Sequence, residues 1–97
     1  MSSPLRFAYE MTISHADFLR TLPAVLQGMS YAVNGREIWV EDEGRRLCIT
    51  LSEQSQRHFG PIPLPVTHVE LKFDGYSKEE VAQFKSRFDT CYRRSGG

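Results

Sequence analysis

Three histidines, two cysteines and twelve carboxylates are the residues of this chain that could carry acid–base, nucleophilic or metal chemistry. Catalysis needs a nucleophile, a base and an orienting group within reach of one another, and a metal centre needs ligands at workable spacing. His15, His58 and His68 are scattered, no H-x-H, H-E-x-x-H or G-x-S-x-G occurs, and Cys48 and Cys91 form no C-x-x-C. The glycines fall at turns, helix ends and the C-terminus rather than in a phosphate-binding motif. The expectation is a protein without a metal, a cofactor or a catalytic constellation, carrying two reduced thiols. The most reactive pairing that can be assembled is Cys48 with His68, beside Trp39 and Glu70, all on one face of a sheet. Against it stands a simpler reading, Cys48 as a small apolar filler and His68 as a solvated surface residue.

Composition narrows the partners. The chain has 97 residues, 40% of them apolar, the size of one domain with a modest core. No stretch approaches the roughly 18 uncharged apolar residues of a membrane span. The opening Met1-Ser-Ser-Pro-Leu-Arg has no basic segment followed by an apolar run, so the expectation is a cytoplasmic protein that does not engage a membrane. Twelve basic residues balance twelve acidic ones, which removes the long-range field that draws proteins to nucleic acid.

The elements that must position these residues are legible as changes of period. Leu5, Phe7, Tyr9, Met11 and Ile13 alternate with Arg6, Ala8, Glu10 and Thr12, which predicts a half-buried strand. Ser14 and Asp17 form a weak capping pair, and Phe18, Leu19, Leu22, Val25, Leu26 and Met29 recur at helical spacing, predicting a helix that closes near Gly28. Pro23 falls inside it and predicts a kink, or a restart with Thr21 as a new N-cap.

Between Met29 and Ser52, two turn signals set the register of three strands. Asn34-Gly35 as a turn puts Val33 opposite Arg36 and Tyr31 opposite Ile38; Glu43-Gly44 puts Asp42 opposite Arg45, Val40 opposite Leu47 and Ile38 opposite Ile49. Both place Tyr31, Val33, Ile38, Val40, Leu47, Ile49 and Leu51 on the core side. The other side receives Trp39 across from Cys48 and Glu41 across from Arg46. Glu53 to Pro65 reads as an irregular connector or an edge, because Pro61, Pro63 and Pro65 cannot donate to a ladder. From Val66 to Phe73 alternation returns, with Val69, Leu71 and Phe73 on the core side and Val66, His68, Glu70 and Lys72 outside. Ser77 as N-cap and Glu80 at the third helical position open a last helix, running to about Arg94 with the stripe Val81, Phe84, Phe88, Cys91 and Tyr92.

These elements predict one α+β domain over residues 1–97, in the order β-α-β-β-β-β-α. Its two layers are a mostly antiparallel sheet of about five strands and two helices on one face, with residues 1–4 and 95–97 as flexible termini.

The succession of helix, three strands and helix from Ser14 onward resembles that of double-stranded-RNA-binding domains, which place basic residues at the start of the last helix. Here that position reads Ser77-Lys-Glu-Glu80, and its carboxylates would repel phosphates, so nucleic acid is not an expected partner. The Gly96-Gly97 end resembles the tails of ubiquitin-like modifiers and sulfur carriers, which implies a carrier or modifier acting through its terminal carboxylate. Those tails leave a strand, whereas this one leaves a helix, where glycine is an ordinary stop. The leading expectation is a non-catalytic binding module using the outer sheet face around Trp39 or the Pro61 to Pro65 segment. Its candidate binding residues are Trp39, Cys48, His68 and Glu70, and its ligand is a protein partner or a second copy.

Overall fold

A computed structural model describes residues 5–95. Six strands and two helices follow one another as β1 (Leu5–Met11), α1 (His15–Leu26), β2 (Tyr31–Asn34), β3 (Glu37–Asp42), β4 (Arg45–Leu51), β5 (Ser55–Phe59), β6 (Ile62–Asp74) and α2 (Lys78–Ser95). The sheet is antiparallel in the order β1-β6-β4-β3-β2, and β5 pairs with the first part of β6. Both helices pack on one face, so the architecture is the α+β arrangement expected, with one strand more. Ile13, expected to end β1, lies beyond that strand but is buried. Ser95, expected in a flexible tail, is the last residue of α2. Residues 1–4, 96 and 97 lie outside the described part of the chain.

Burial follows the alternation. Ile38, Val40, Leu47, Ile49, Leu51, Val69, Leu71 and Phe73 point from the sheet toward the helices. Phe18, Leu22, Val25 and Leu26 of α1 and Val81, Phe84, Phe88 and Tyr92 of α2 meet them, and Leu5, Phe7, Tyr9 and Met11 pack half-buried at the margin. Each of the fully buried large side chains contributes about 1.5–3 kcal/mol through area removed from water. A run of aromatic rings joins the layers: Phe18 stacks on Tyr92 at 4.8 Å, Tyr92 meets Phe88 at 4.6 Å, and Phe84 meets Phe73 edge-on at 5.3 Å.

Both helix starts and the end of α1 are satisfied as their residue types require. At α2, Ser77 Oγ accepts the Glu80 N–H at 3.1 Å while Glu80 Oε1 accepts the Ser77 N–H at 2.9 Å, the reciprocal capping box. At α1, Ser14 Oγ accepts the Asp17 N–H at 3.1 Å. The kink or restart expected at Pro23 is not needed, because α1 runs unbroken to Leu26 with Pro23 exposed near its end. The helix then stops at Gln27, whose φ of 51° is left-handed and whose N–H bonds the Pro23 carbonyl. From α2, Arg87 Nε reaches the Val25 carbonyl at 2.7 Å and the Tyr92 hydroxyl reaches the Phe18 carbonyl at 2.8 Å, tying the two helices together.

Two expectations about the strands are corrected. The β3–β4 register is as expected, Ile38 opposite Ile49 and Trp39 opposite Cys48, but β2 pairs with Val33 opposite Ile38 and Tyr31 opposite Val40. The turn residues are Gly35 and Arg36, not Asn34 and Gly35. A type I′ turn on Asn-Gly needs positive φ at both residues, whereas here only Gly35 is positive, at 63°, which matches a Gly-X turn of type II′. The slip is of two residues, so each side chain keeps its face. Tyr31 and Val33 do point to the helix side, yet the helices do not reach them, and they are 40% and 48% exposed.

The second concerns the segment from Glu53 to Pro65: it is not an irregular connector but, in line with the other reading, lies at an edge of the sheet, as a hairpin in which Phe59 pairs with Ile62 around Gly60-Pro61, another Gly-X turn. Leu51 pairs with Val69 and Ser55 with Val66, so Glu53 and Gln54 both lie opposite the single residue Thr67. This β-bulge reverses the alternation, turning Ser55, Arg57 and Phe59 to the outer face although Leu47, Ile49 and Leu51 faced the helices. Val66, expected to be solvated on that outer face, is 3% exposed, buried outside the main core.

The prolines also find their reason here. His68 directs both its N–H and its C=O to Ser52, the residue that follows β4. By alternation Ile62, Leu64 and Val66 address β5, while Pro63 and Pro65 turn their donor-less nitrogens to the open edge. The ladder loses nothing and the edge is blunted. The resulting arm helps give the molecule its 49 × 22 × 22 Å shape.

Two buried phenols make testable statements. Burial, with a smaller push from Cys91, raises Tyr92 far above its ordinary pKa of 10.0. The folded state therefore favours the neutral phenol: its contribution is intact below pH 10 and is lost as the pH rises further. Stability measured by urea unfolding should fall above that pH, and Tyr92→Phe should flatten part of the slope while costing about 1 kcal/mol at neutral pH for its hydrogen bond. Tyr9 has a buried hydroxyl with no hydrogen-bond partner among the described residues. Tyr9→Phe should therefore be neutral or stabilising, by up to about 1 kcal/mol in the same measurement.

Candidate functional site

The sheet order decides which outer-face residues meet. With β6 between β1 and β4, the cross-strand partners line up in rows running across the sheet. One row reads Ala32, Trp39, Cys48, Lys72 and Arg6; the next reads Asn34, Glu37, Thr50, Glu70 and Ala8; a third joins Glu41, Arg46 and Asp74. No helix covers this side. The rows enclose a shallow cleft of about 380 Å³ whose walls include Trp39, Cys48, Glu70, Arg6, Lys72 and Asp74.

Three of the four candidate residues, Trp39, Cys48 and Glu70, thus share one concavity, and His68 does not. Cys48 stands opposite Lys72, and His68 lies four positions further along β6. At about 3.3 Å per residue that is about 13 Å, too far for a thiol–imidazole pair. His68 instead places Nε2 3.5 Å from Glu10 at the base of the arm, where Arg57 also pairs with Glu10. The neighbour of the Cys48 Sγ is the Thr50 hydroxyl at 3.8 Å, which is not a base. His15 points elsewhere, donating Nε2–H to the Ser52 carbonyl at 2.7 Å and so docking α1 on the bulge. Among the described residues no three of His, Cys, Asp and Glu gather as a metal-binding group. No helix among them is long and apolar enough to cross a membrane.

The electrostatics of the cleft are unusual for a solvated sheet face. Arg6 and Lys72 stand directly opposite each other, a like-charge pair that costs stability in an antiparallel ladder. Among the described residues, no ion pair joins either of them, or Glu37, Glu70 or Asp74, to an opposite charge. Elsewhere on the outer face Glu10 pairs with Arg57, and Arg46 pairs with Glu41 at 3.5 Å, where both side chains are largely exposed. Arg45, at the start of β4, behaves differently. It bonds Asp42 at 2.9 Å, pairs with Glu80 and lies 5.1 Å from the Tyr76 ring, which pins the start of α2 to the β3–β4 turn.

Arg6 and Lys72 were not singled out by sequence reasoning. Alternation placed each on the outer face, but only the strand order brings them into the row of Trp39 and Cys48. Further concavities among the described residues include about 460 Å³ beside Asn34, Arg36 and Ser52, about 280 Å³ between β1 and α2 beside Tyr9, Phe88 and Asp89, and about 260 Å³ beside Phe7 and Lys85.

No protein-family model matches this chain, and no curated protein and no solved structure is significantly similar to it. The likeness to double-stranded-RNA-binding domains fails on topology as well, since five strands rather than three separate α1 from α2. The residues of the Gly-Gly end lie outside the described chain, and α2 runs to Ser95 just before them.

Trp39 is the sole tryptophan and is 44% exposed, so its emission reports on this face directly. Acrylamide should quench it efficiently in the free protein; an indole shielded from quencher would contradict the open face.

Proposed function

We propose that the protein is a non-catalytic interaction module that docks a protein partner on its outer sheet face. The observation that carries this reading is the combination at one cleft of a half-exposed tryptophan with charged side chains of both signs that form no ion pair among the described residues. Docking surfaces characteristically centre on an aromatic anchor and surround it with polar and arginine contacts. Arg6 and Lys72, set against each other in the free protein, would gain from a carboxylate presented across the cleft, and Glu37 and Glu70 from a cation. A partner with alternating charge beside an apolar pocket or ridge fits this arrangement. A cytoplasmic setting, with reduced Cys48 and Cys91, belongs to the same proposal.

The experiment compares wild type with Trp39→Ala and with Lys72→Glu. Affinity capture from the native cell extract, followed by mass spectrometry, should recover a partner with the wild-type protein and lose it with both variants, while their circular dichroism stays unchanged. An identical set of captured proteins from all three would overturn the proposal.

A further inference from the structure

Among the described residues the sheet has four open edges, and three of them carry charge or proline. β1 carries the charged Arg6 and Glu10 along its free side, the arm turns Pro63 and Pro65 outward, and β5, paired with β6 alone, carries Arg57. β2 carries nothing of the sort: its sequence Tyr-Ala-Val-Asn has no charge, no proline and no bulge, and all four residues are exposed.

Its free hydrogen-bonding groups can be assigned. The Ser30 carbonyl accepts from the Glu41 N–H, and Asn34 pairs with Glu37 across a two-residue turn, so residues 30, 32 and 34 address β3. By alternation the N–H and C=O groups of Tyr31 and Val33 face outward. Their side chains stand on the helix side, 40% and 48% exposed, beyond the reach of either helix.

We infer that β2 is the seat of a twofold dimer in which two copies pair antiparallel, Tyr31 of each opposite Val33 of the other and Ala32 opposite Ala32. Only residues of like parity can face each other if both pairs of helices are to share one side of the joined sheet. In this register Tyr31 and Val33 form hydrogen-bonded pairs, giving four bonds about the twofold, and the small Ala32 side chains meet where strands approach most closely. The pairing is electrostatically clean: Asn34 meets Ser30, Gly35 meets Met29, and Arg36 falls opposite Gly28. A twofold axis closes the assembly at two copies. Four residues a side bury less than the roughly 1,200 Å² typical of stable complexes, so the dimer is a weak, concentration-dependent one. The two outer faces become one surface, with the Trp39 residues about 14 Å apart across three strand spacings. This goes beyond docking of a partner on that face and is tested separately from it.

The test is sedimentation equilibrium over a wide concentration range on wild type, Val33→Lys and Ile62→Ser. Val33→Lys puts a charge on the pairing edge at an exposed position, and Ile62→Ser removes an apolar residue at the arm tip that is more exposed still. Wild type and Ile62→Ser should rise from the monomer to the dimer mass, and Val33→Lys should stay monomeric with unchanged circular dichroism. Ala32→Cys should add a covalent dimer under mild oxidation that the parent protein does not form. A wild type monomeric at every concentration, a dimer that survives Val33→Lys, a dimer lost with Ile62→Ser, or no cross-link through Ala32→Cys would each overturn the proposal.

Discussion

The pairing of β6 on both of its edges is the constraint from which the remaining geometry follows. This strand of 13 residues takes β1 along one side and β4, then β5, along the other, so most of the sheet register is referred to it. Its inward residues Val69, Leu71 and Phe73 lie at the centre of the core and meet both neighbouring strands. Because β6 is the last strand to be made, the ladders that complete the sheet wait for a partner distant in sequence, which makes them costly in loop closure. The chain offsets that with local structure formed earlier: the two tight hairpins from β2 to β4, and the capped helix α1.

From that arrangement comes the division of labour between the two sides. Both helices lie on the side of Val69, Leu71 and Phe73, bound to each other through Tyr92 and Arg87. The other side keeps a continuous pleated surface on which charge and aromatic groups fall into rows. The bulge at Glu53 and Gln54 then lets β5 leave the layer and carry Arg57 back to Glu10. Edge protection follows the same economy: along β1, β5 and the arm, proline or charge stands at the open edge, and among the described strands the short β2 is bare.

The parts of this structure that are legible in the sequence are those governed by period and by local turn chemistry. Trp39 opposite Cys48 follows from Glu43-Gly44, whose residues both take positive φ, 50° and 82°, as a type I′ turn requires. The faces of Tyr31 and Val33 were readable too, since a two-residue slip preserves them, but their exposure was not, because it depends on how far the helices reach. Glu53 to Pro65 was opaque for a physical reason. A bulge reverses the alternation in mid-strand, and prolines are silent about which edge they face. The row that joins Trp39, Cys48, Lys72 and Arg6 needed the strand order, which no local signal encodes. The separation of His68 from Cys48 follows from the same cause, through the position of each residue along β6.

Site-resolved amide exchange tests the central role of β6 most directly. The Leu71 amide faces β1 and the Lys72 amide faces β4, so both should be among the slowest in the molecule, exchanging only with global unfolding, and Leu64 and Val66 should be protected through β5. In dilute solution the outward amides of Tyr31 and Val33 should exchange many times faster. A Lys72 amide that exchanges as readily as that of Val33, or Leu64 and Val66 amides as fast as an unfolded peptide, would contradict a sheet assembled on β6.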